Sequence, residues 1–319
     1  MAKSAAAVLQ MKEEKKAVSL EKRRQTIRKL KQDKVLYLIL LPTMAYFLIF
    51  HVWPIIEMRL AFYDYKIIGD NIFVGLKHFK KLFSTPMFVQ IIKNTLVISF
   101  MKIVLFFPLP VIFALMLNEF RTGPFRKAVQ VISYLPHFLS WVVIAGIWFQ
   151  FLGGDGAINT IRNAIGLETF DFLTNRSVIR WVLFSSETWR SIGWDSIIYS
   201  AAILSISPTL YEAAYIDGAK RWQIVTRIIL PVLTATMVTV LILNVGFLMN
   251  AGLDQVLNFT NDAVNSKIDI IDTYVYRIGL KNGQYSFATA ANLFKGAVGT
   301  VLVVSTHVIS KKLTGKGAW

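Results

Sequence analysis

Glu187, Arg190, Ser191, Trp194 and Asp195 fall within a stretch of nine residues whose surroundings are mostly Ile, Ser, Ala and aromatic. At helical spacing the first four share a face and Asp195 lies beside them. An aromatic ring that stacks on the C–H face of a sugar, flanked by groups that bind its hydroxyls, is one chemistry open to this set. A carboxylate that takes up and releases a proton within a membrane is another. A third reading is internal, with Glu187 and Arg190 at i and i+3 neutralising each other.

Other polar groups interrupt apolar stretches: Thr95, Ser99 and Lys102; Asn244 and Asn250; and Ala288, Asn292, Lys295 and Gly299 on one helical face. Lys102 and Lys295 are able to pair with Glu187 or Asp195 if these stretches pack together, and the two asparagines suit interhelical hydrogen bonds. Glu187, Arg190, Ser191, Trp194, Asp195, Asn244, Asn292 and Lys295 are therefore the candidate lining of a polar path. Signatures of catalysis are not found. There is no GxxxxGK[ST], so nucleotide binding by a P-loop is not expected of this chain, and there is no HExxH or GxSxG. His51, His78, His137 and His307 are too scattered for a metal site, and there is no Cys. No cofactor or metal is expected in this chain.

The elements that must hold these groups are membrane-crossing helices. Hydrophobic residues make up 55% of the 319, and the mean hydropathy is +0.51. Val35 to Ile56, Ala128 to Gly154 and Ile228 to Leu253 contain no Asp, Glu, Lys or Arg, and about 20 such residues cross a bilayer as a helix. The expected fold is an all-α polytopic membrane protein. Six spans are expected near residues 35–53, 92–117, 129–152, 178–206, 231–250 and 286–309. Residues 1–34 form a basic tail, too long and followed by too wide a run for a signal peptide. The rest, 35–319, is read as one transmembrane domain.

The net charge of +16 does not imply nucleic acid, because the bases lie mostly between apolar runs, where they orient helices. With the N-terminus inside, twenty Lys and Arg fall on inner segments and ten on outer ones. Both termini are thus expected in the cytoplasm. The outer segments, roughly 38, 25 and 35 residues, are longer than turns need and are expected to be ordered loops able to meet a partner. Within the spans and at their edges, Lys93, Lys102, Arg180, Arg190 and Lys295 face only Glu187 and Asp195. Unpaired charge in a bundle is costly, so this surplus suggests an acidic cargo, or acids supplied by a partner chain.

The inner segment 207–231 reads SPTLYEAAYIDGAKRWQIVTRIILP. Ser207 and Pro208 make a good helix start, and Asp217-Gly218 offers a turn at positive φ. A short helix, a bend and a second short helix are expected, a rigid element suited to passing movement between a docked protein and the spans.

This segment resembles the EAA loop of permease subunits in binding-protein-dependent ABC importers. The pattern of Glu-Ala-Ala, three residues, Gly, nine residues and Ile-x-Leu-Pro is met by Glu212, Ala213, Ala214, Gly218, Ile228, Leu230 and Pro231. Chance would produce it in about one chain in 10⁵ or fewer. FRKAVQVISYLPHFLSWVVIAGIW (125–148), GWDSIIYSAAILSISPTLYEAA (193–214), GLDQVLNFTNDAV (252–264) and IDTYVYRIGLKNGQYSFATAANLFK (271–295) look like saccharide permeases of the lipoprotein-and-polysaccharide type, the group of the alginate importer permease.

The resemblance covers about residue 35 to the end. It implies a subunit of the bacterial cytoplasmic membrane that is not itself an enzyme. It also implies a heterodimer with a second permease, two ATPase subunits that bind ATP and Mg, an extracellular solute-binding protein and an oligosaccharide cargo. Glu212, Ala213, Ala214, Asp217, Gly218 and Pro231 would then couple to the ATPase. The rival reading is a proton-coupled secondary transporter using Glu187 or Asp195. It leaves the EAA pattern unexplained and predicts an internal repeat that the sequence does not display.

Overall fold

A computed structural model describes residues 32–120 and 123–314. The described residues are helical apart from loops and one antiparallel pair of two-residue strands, Tyr63–Asp64 and Ile72–Phe73. The fold is all-α and polytopic, as expected. Five helices are long and apolar enough to cross a bilayer: Lys34–Phe62, Pro86–Glu119, Trp141–Ala164, Arg221–Gly246 and Tyr285–Val308. The pair Ile179–Leu204 and Pro208–Ile216, bent by 69°, makes six if taken as one span. Close contacts divide the chain after Arg59. Most of the expected basic tail lies outside the described residues.

Three π-helical turns, Leu48–Val52, Lys102–Phe106 and Val225–Ile229, are each followed within two residues by a proline: Pro54, Pro108 and Pro231. A proline has no N–H to donate and its ring presses on the carbonyl four residues back. A widened turn relieves both without ending the helix. For this reason the second short helix expected after Gly218 does not stand alone; from Arg221 the chain runs through its π turn into one helix ending at Gly246.

The Ala128–Gly154 run is broken where the third span was expected. A helix at Pro124–Tyr134 gives way to a 3-10 turn at Leu135–Phe138, and a new helix starts at Trp141. Pro136 sits in that turn, and Ser140 caps the new helix by accepting from the Val143 N–H at 3.4 Å. The crossing span is therefore Trp141–Ala164.

The 251–285 segment is not a solvated connector. Ala251, Gln255, Val256, Phe259, Val264, Ile268, Ile270 and Ile271 are all buried; the apolar ones up to Ile270 pack with Ile98, Leu152, Ile179 and Leu183, and Ile271 packs with Leu82, Phe88 and Ile91. The segment between the first two spans is pinned by Lys77, whose ammonium donates to Asp64 at 2.6 Å and holds that carboxyl below its usual range. At the other end of the spans Ile203, Ile206, Ile224, Ile229 and Leu233 form a separate cluster, against which Tyr211, Ala214 and Ala219 pack. Helices approach closest at glycine. A Cβ on Gly193 would lie 2.3 Å from the Ser133 carbonyl oxygen, so the 179–204 and 124–134 helices cross there only because it has none.

Candidate functional site

Helix Ile179–Leu204 carries the polar residues singled out by their spacing, and the fold brings two other elements to it. Lys102, at the start of a π turn, reaches Glu187 Oε2 at 2.9 Å, while Ser191 Oγ donates to Glu187 Oε1 at 3.0 Å. Of the pairings open to Glu187, the structure selects Lys102 and not Arg190. The other Lys102 donors go to the Ala251 carbonyl at 2.9 Å and to Gln255 Oε1 at 2.8 Å, which uses all three of its N–H groups. Gln255 in turn donates to the Leu183 carbonyl at 2.7 Å and Ser186 Oγ at 2.9 Å. Gly252, at φ +97°, makes the turn that brings Ala251 and Gln255 there.

Beside this network is a cavity of about 760 Å³, within the range of about 300–1,000 Å³ usual for ligand sites. Glu187, Trp194, Asp195 and Asn244 from the expected path line it, with Lys102, Trp141, Tyr199 and Asn250. Trp194 is stacked on the His137 ring, with centroids 4.4 Å apart and planes 4° from parallel, and Phe138 meets its edge at 5.4 Å. Asp195 accepts no hydrogen bond and forms no ion pair among the described residues.

Arg190, Ser191, Asn292 and Lys295 are not in the lining. Ser191 is bound to Glu187, as above. The Arg190 guanidinium donates to the His137 carbonyl at 3.2 Å and lies 5.0 Å from the centre of the Trp141 ring. It thereby ties the broken segment 135–140 to the charged helix. Lys295 forms an ion pair with Asp272, a residue of the 251–285 segment. Asn292 is exposed on its helix. Sequence reasoning missed Gln255, Asp272, His137 and Trp141. A glutamine and an aspartate amid apolar residues at 253–259 and 268–275 were the signals for the first two.

The second region is the 207–231 loop. Helix Pro208–Ile216 buries no residue; Glu212 and Ala213 are exposed and Ala214 is half-buried. Leu210, Tyr215, Ile216 and Trp222 are at least half exposed as well, giving an apolar surface around a carboxylate that has no partner among the described residues. After the helix, Gly218 adopts φ +71°. Its N–H donates to the Tyr215 carbonyl at 3.1 Å, and the Ala219 N–H to that of Ala214 at 2.9 Å, a left-handed helix end that favours glycine. Asp217 is the C-terminal cap residue just before it. Pro231 lies further on, within the 221–246 helix.

Residues 107–314 match the family described as "Binding-protein-dependent transport system inner membrane component". The chain is 41% identical to the polygalacturonan/rhamnogalacturonan transport system permease protein YteP of Bacillus subtilis (strain 168), covering 94% of each. It is 28% identical to the arabinooligosaccharides transport system permease protein AraP of the same organism, over 88% of each. Among solved structures, a chain of a bacterial alginate ABC transporter in complex with alginate pentasaccharide-bound periplasmic protein superposes with a TM-score of 0.85. Identity to that chain is 40%, covering 91% of this chain and 98% of that one.

Proposed function

We propose a function from one premise: this chain belongs to the family of binding-protein-dependent transport system inner membrane components, as a multi-pass ABC importer permease. The family is the transport part of such systems, not the catalytic part. In our reading the chain forms, with a second permease, the path of an oligosaccharide delivered by an extracellular solute-binding protein. Two ATPase subunits carry the ATP and Mg, and docking of the ATPase is at the 207–231 loop of this chain. The observation that carries this reading is a mechanical one. Helix Ile179–Leu204 lines the cavity at Glu187, Trp194 and Asp195 and, through a 69° bend, leads into the exposed Pro208–Ile216 helix. A push on the exposed helix is thereby a push on the cavity wall. None of the relatives above supports the proton-driven alternative.

The orientation we propose has the 207–220 loop and both termini in the cytoplasm, supported by the excess of Lys and Arg on those segments. The chain has no Cys, so single cysteines report cleanly. One at Gly154 or Asn261 is expected to react in intact cells with a membrane-impermeant thiol reagent, and one at Asp217, Lys3 or Lys316 is expected to resist it. Labelling of Asp217→Cys and not of Asn261→Cys would invert the arrangement.

The cargo we propose is acidic, a uronate-containing oligosaccharide. The support is the 41% identity to a polygalacturonan/rhamnogalacturonan permease and the 40% identity to an importer "of the acidic polysaccharide alginate". The charge surplus of the spans supports it less than the sequence suggested, because Lys295 is neutralised by Asp272 and Lys102 by Glu187. The copurified complex, with its binding protein, is expected to hydrolyse ATP faster in the presence of uronate oligosaccharides than of neutral ones of equal length. Stimulation by neutral oligosaccharides alone would refute the acidic cargo.

A further inference from the structure

The charges lining the cavity are Lys102, Glu187 and Asp195, one cation against two carboxylates. Lys102 is spent on Glu187, Ala251 and Gln255. The other cations of the path are also committed, Arg190 to the His137 carbonyl and the Trp141 ring and Lys295 to Asp272. What this wall offers a cargo is therefore Asp195, a carboxylate with no hydrogen bond or ion pair among the described residues that feels the charges of Glu187 and Arg190, next to an indole that His137 and Phe138 hold in place. A carboxylate accepts hydrogen bonds from sugar hydroxyls, and it repels another carboxylate in a site of low dielectric.

We propose that Asp195 is a specificity-determining residue, reading sugar hydroxyls on the Trp194 side of the path and turning the acidic groups of the cargo away from this wall. The carboxylates of a uronate chain then travel turned away from Asp195. The inference rests on the reading of the cavity as a cargo path and assigns to Asp195 an effect opposite in sign to an anion-binding site.

The test uses the assembled transporter in proteoliposomes with its binding protein. Acidic and neutral oligosaccharides of equal length are each supplied at saturation, so that capture by the binding protein is not what is read. Asp195→Asn removes the charge at nearly constant shape and breaks no hydrogen bond. It is expected to raise the ratio of acidic to neutral uptake several-fold, by speeding the acidic cargo and slowing the neutral one, while Asp195→Glu keeps the parent ratio. An unchanged ratio in Asp195→Asn, or a fall in acidic uptake, overturns the proposal. If the parent carries only neutral cargo, the acidic reading of the transporter fails separately. The Asp195 role is then decided by the neutral arm, where Asp195→Asn must slow uptake several-fold and a parent rate overturns it.

Discussion

A chain carrying Glu212→Lys and Gly218→Val is expected to reach the membrane at the parent level and to import nothing above background. Glu212 is exposed and has no partner among the described residues, so reversing its charge leaves the fold unstrained and acts only on whatever docks there. Gly218 is different, because its backbone sits at φ +71° with open space where a Cβ would go. Valine there meets no neighbour, yet holding a β-branched residue in the left-handed region costs about 1–2 kcal/mol. The turn is expected to relax towards negative φ and re-aim the Pro208–Ile216 helix while the spans stay intact. Copurification of the ATPase subunits and uptake of labelled oligosaccharide read the two effects. Each single change is expected to lower uptake and the pair to abolish it. Full uptake by the double variant would remove the coupling role from this loop.

Lys102→Met is expected to destabilise the whole protein. The Lys102 and Glu187 side chains are 19% and 17% exposed, and losing one partner leaves a carboxylate with only Ser191 to bind it. Removing half of a buried pair costs about 3–5 kcal/mol, and the lower end applies here because the cavity reaches Glu187. Gln255 Oε1 and the Ala251 carbonyl lose their donor in the same step. Thermal unfolding of the detergent-solubilised complex is expected at a clearly lower temperature, with less protein in the membrane. Lys102→Met combined with Glu187→Met is expected to recover part of the loss, since replacing both charges with apolar groups removes the stranded carboxylate but leaves Gln255 Oε1 and the Ala251 carbonyl without their donor. If the single variant melts with the parent, the pair is not a structural tie between these helices.

The parts of the molecule legible in the sequence are those with local causes. Ser207-Pro208 starts the loop helix and Gly218 ends it, because capping and positive φ depend on a residue and its immediate neighbours. The spans are visible for a similar reason: run length against bilayer thickness is a one-dimensional quantity. Even so, Pro136 breaks the third expected span while Pro54, Pro108 and Pro231 are each absorbed by a π turn, a distinction that composition does not carry. Which charges meet was decided only by the tertiary structure. Lys102 and Glu187 are 85 residues apart, and Lys295 turns away from both span carboxylates to Asp272 on a segment that looked like an outer loop. An ion pair depends on the depth and rotation of whole helices relative to one another, set by contacts such as Gly193 against Ser133. The residues that could carry a path were therefore open to inspection in the sequence. The face they form, and the uncommitted Asp195 within it, arise only when the helices pack.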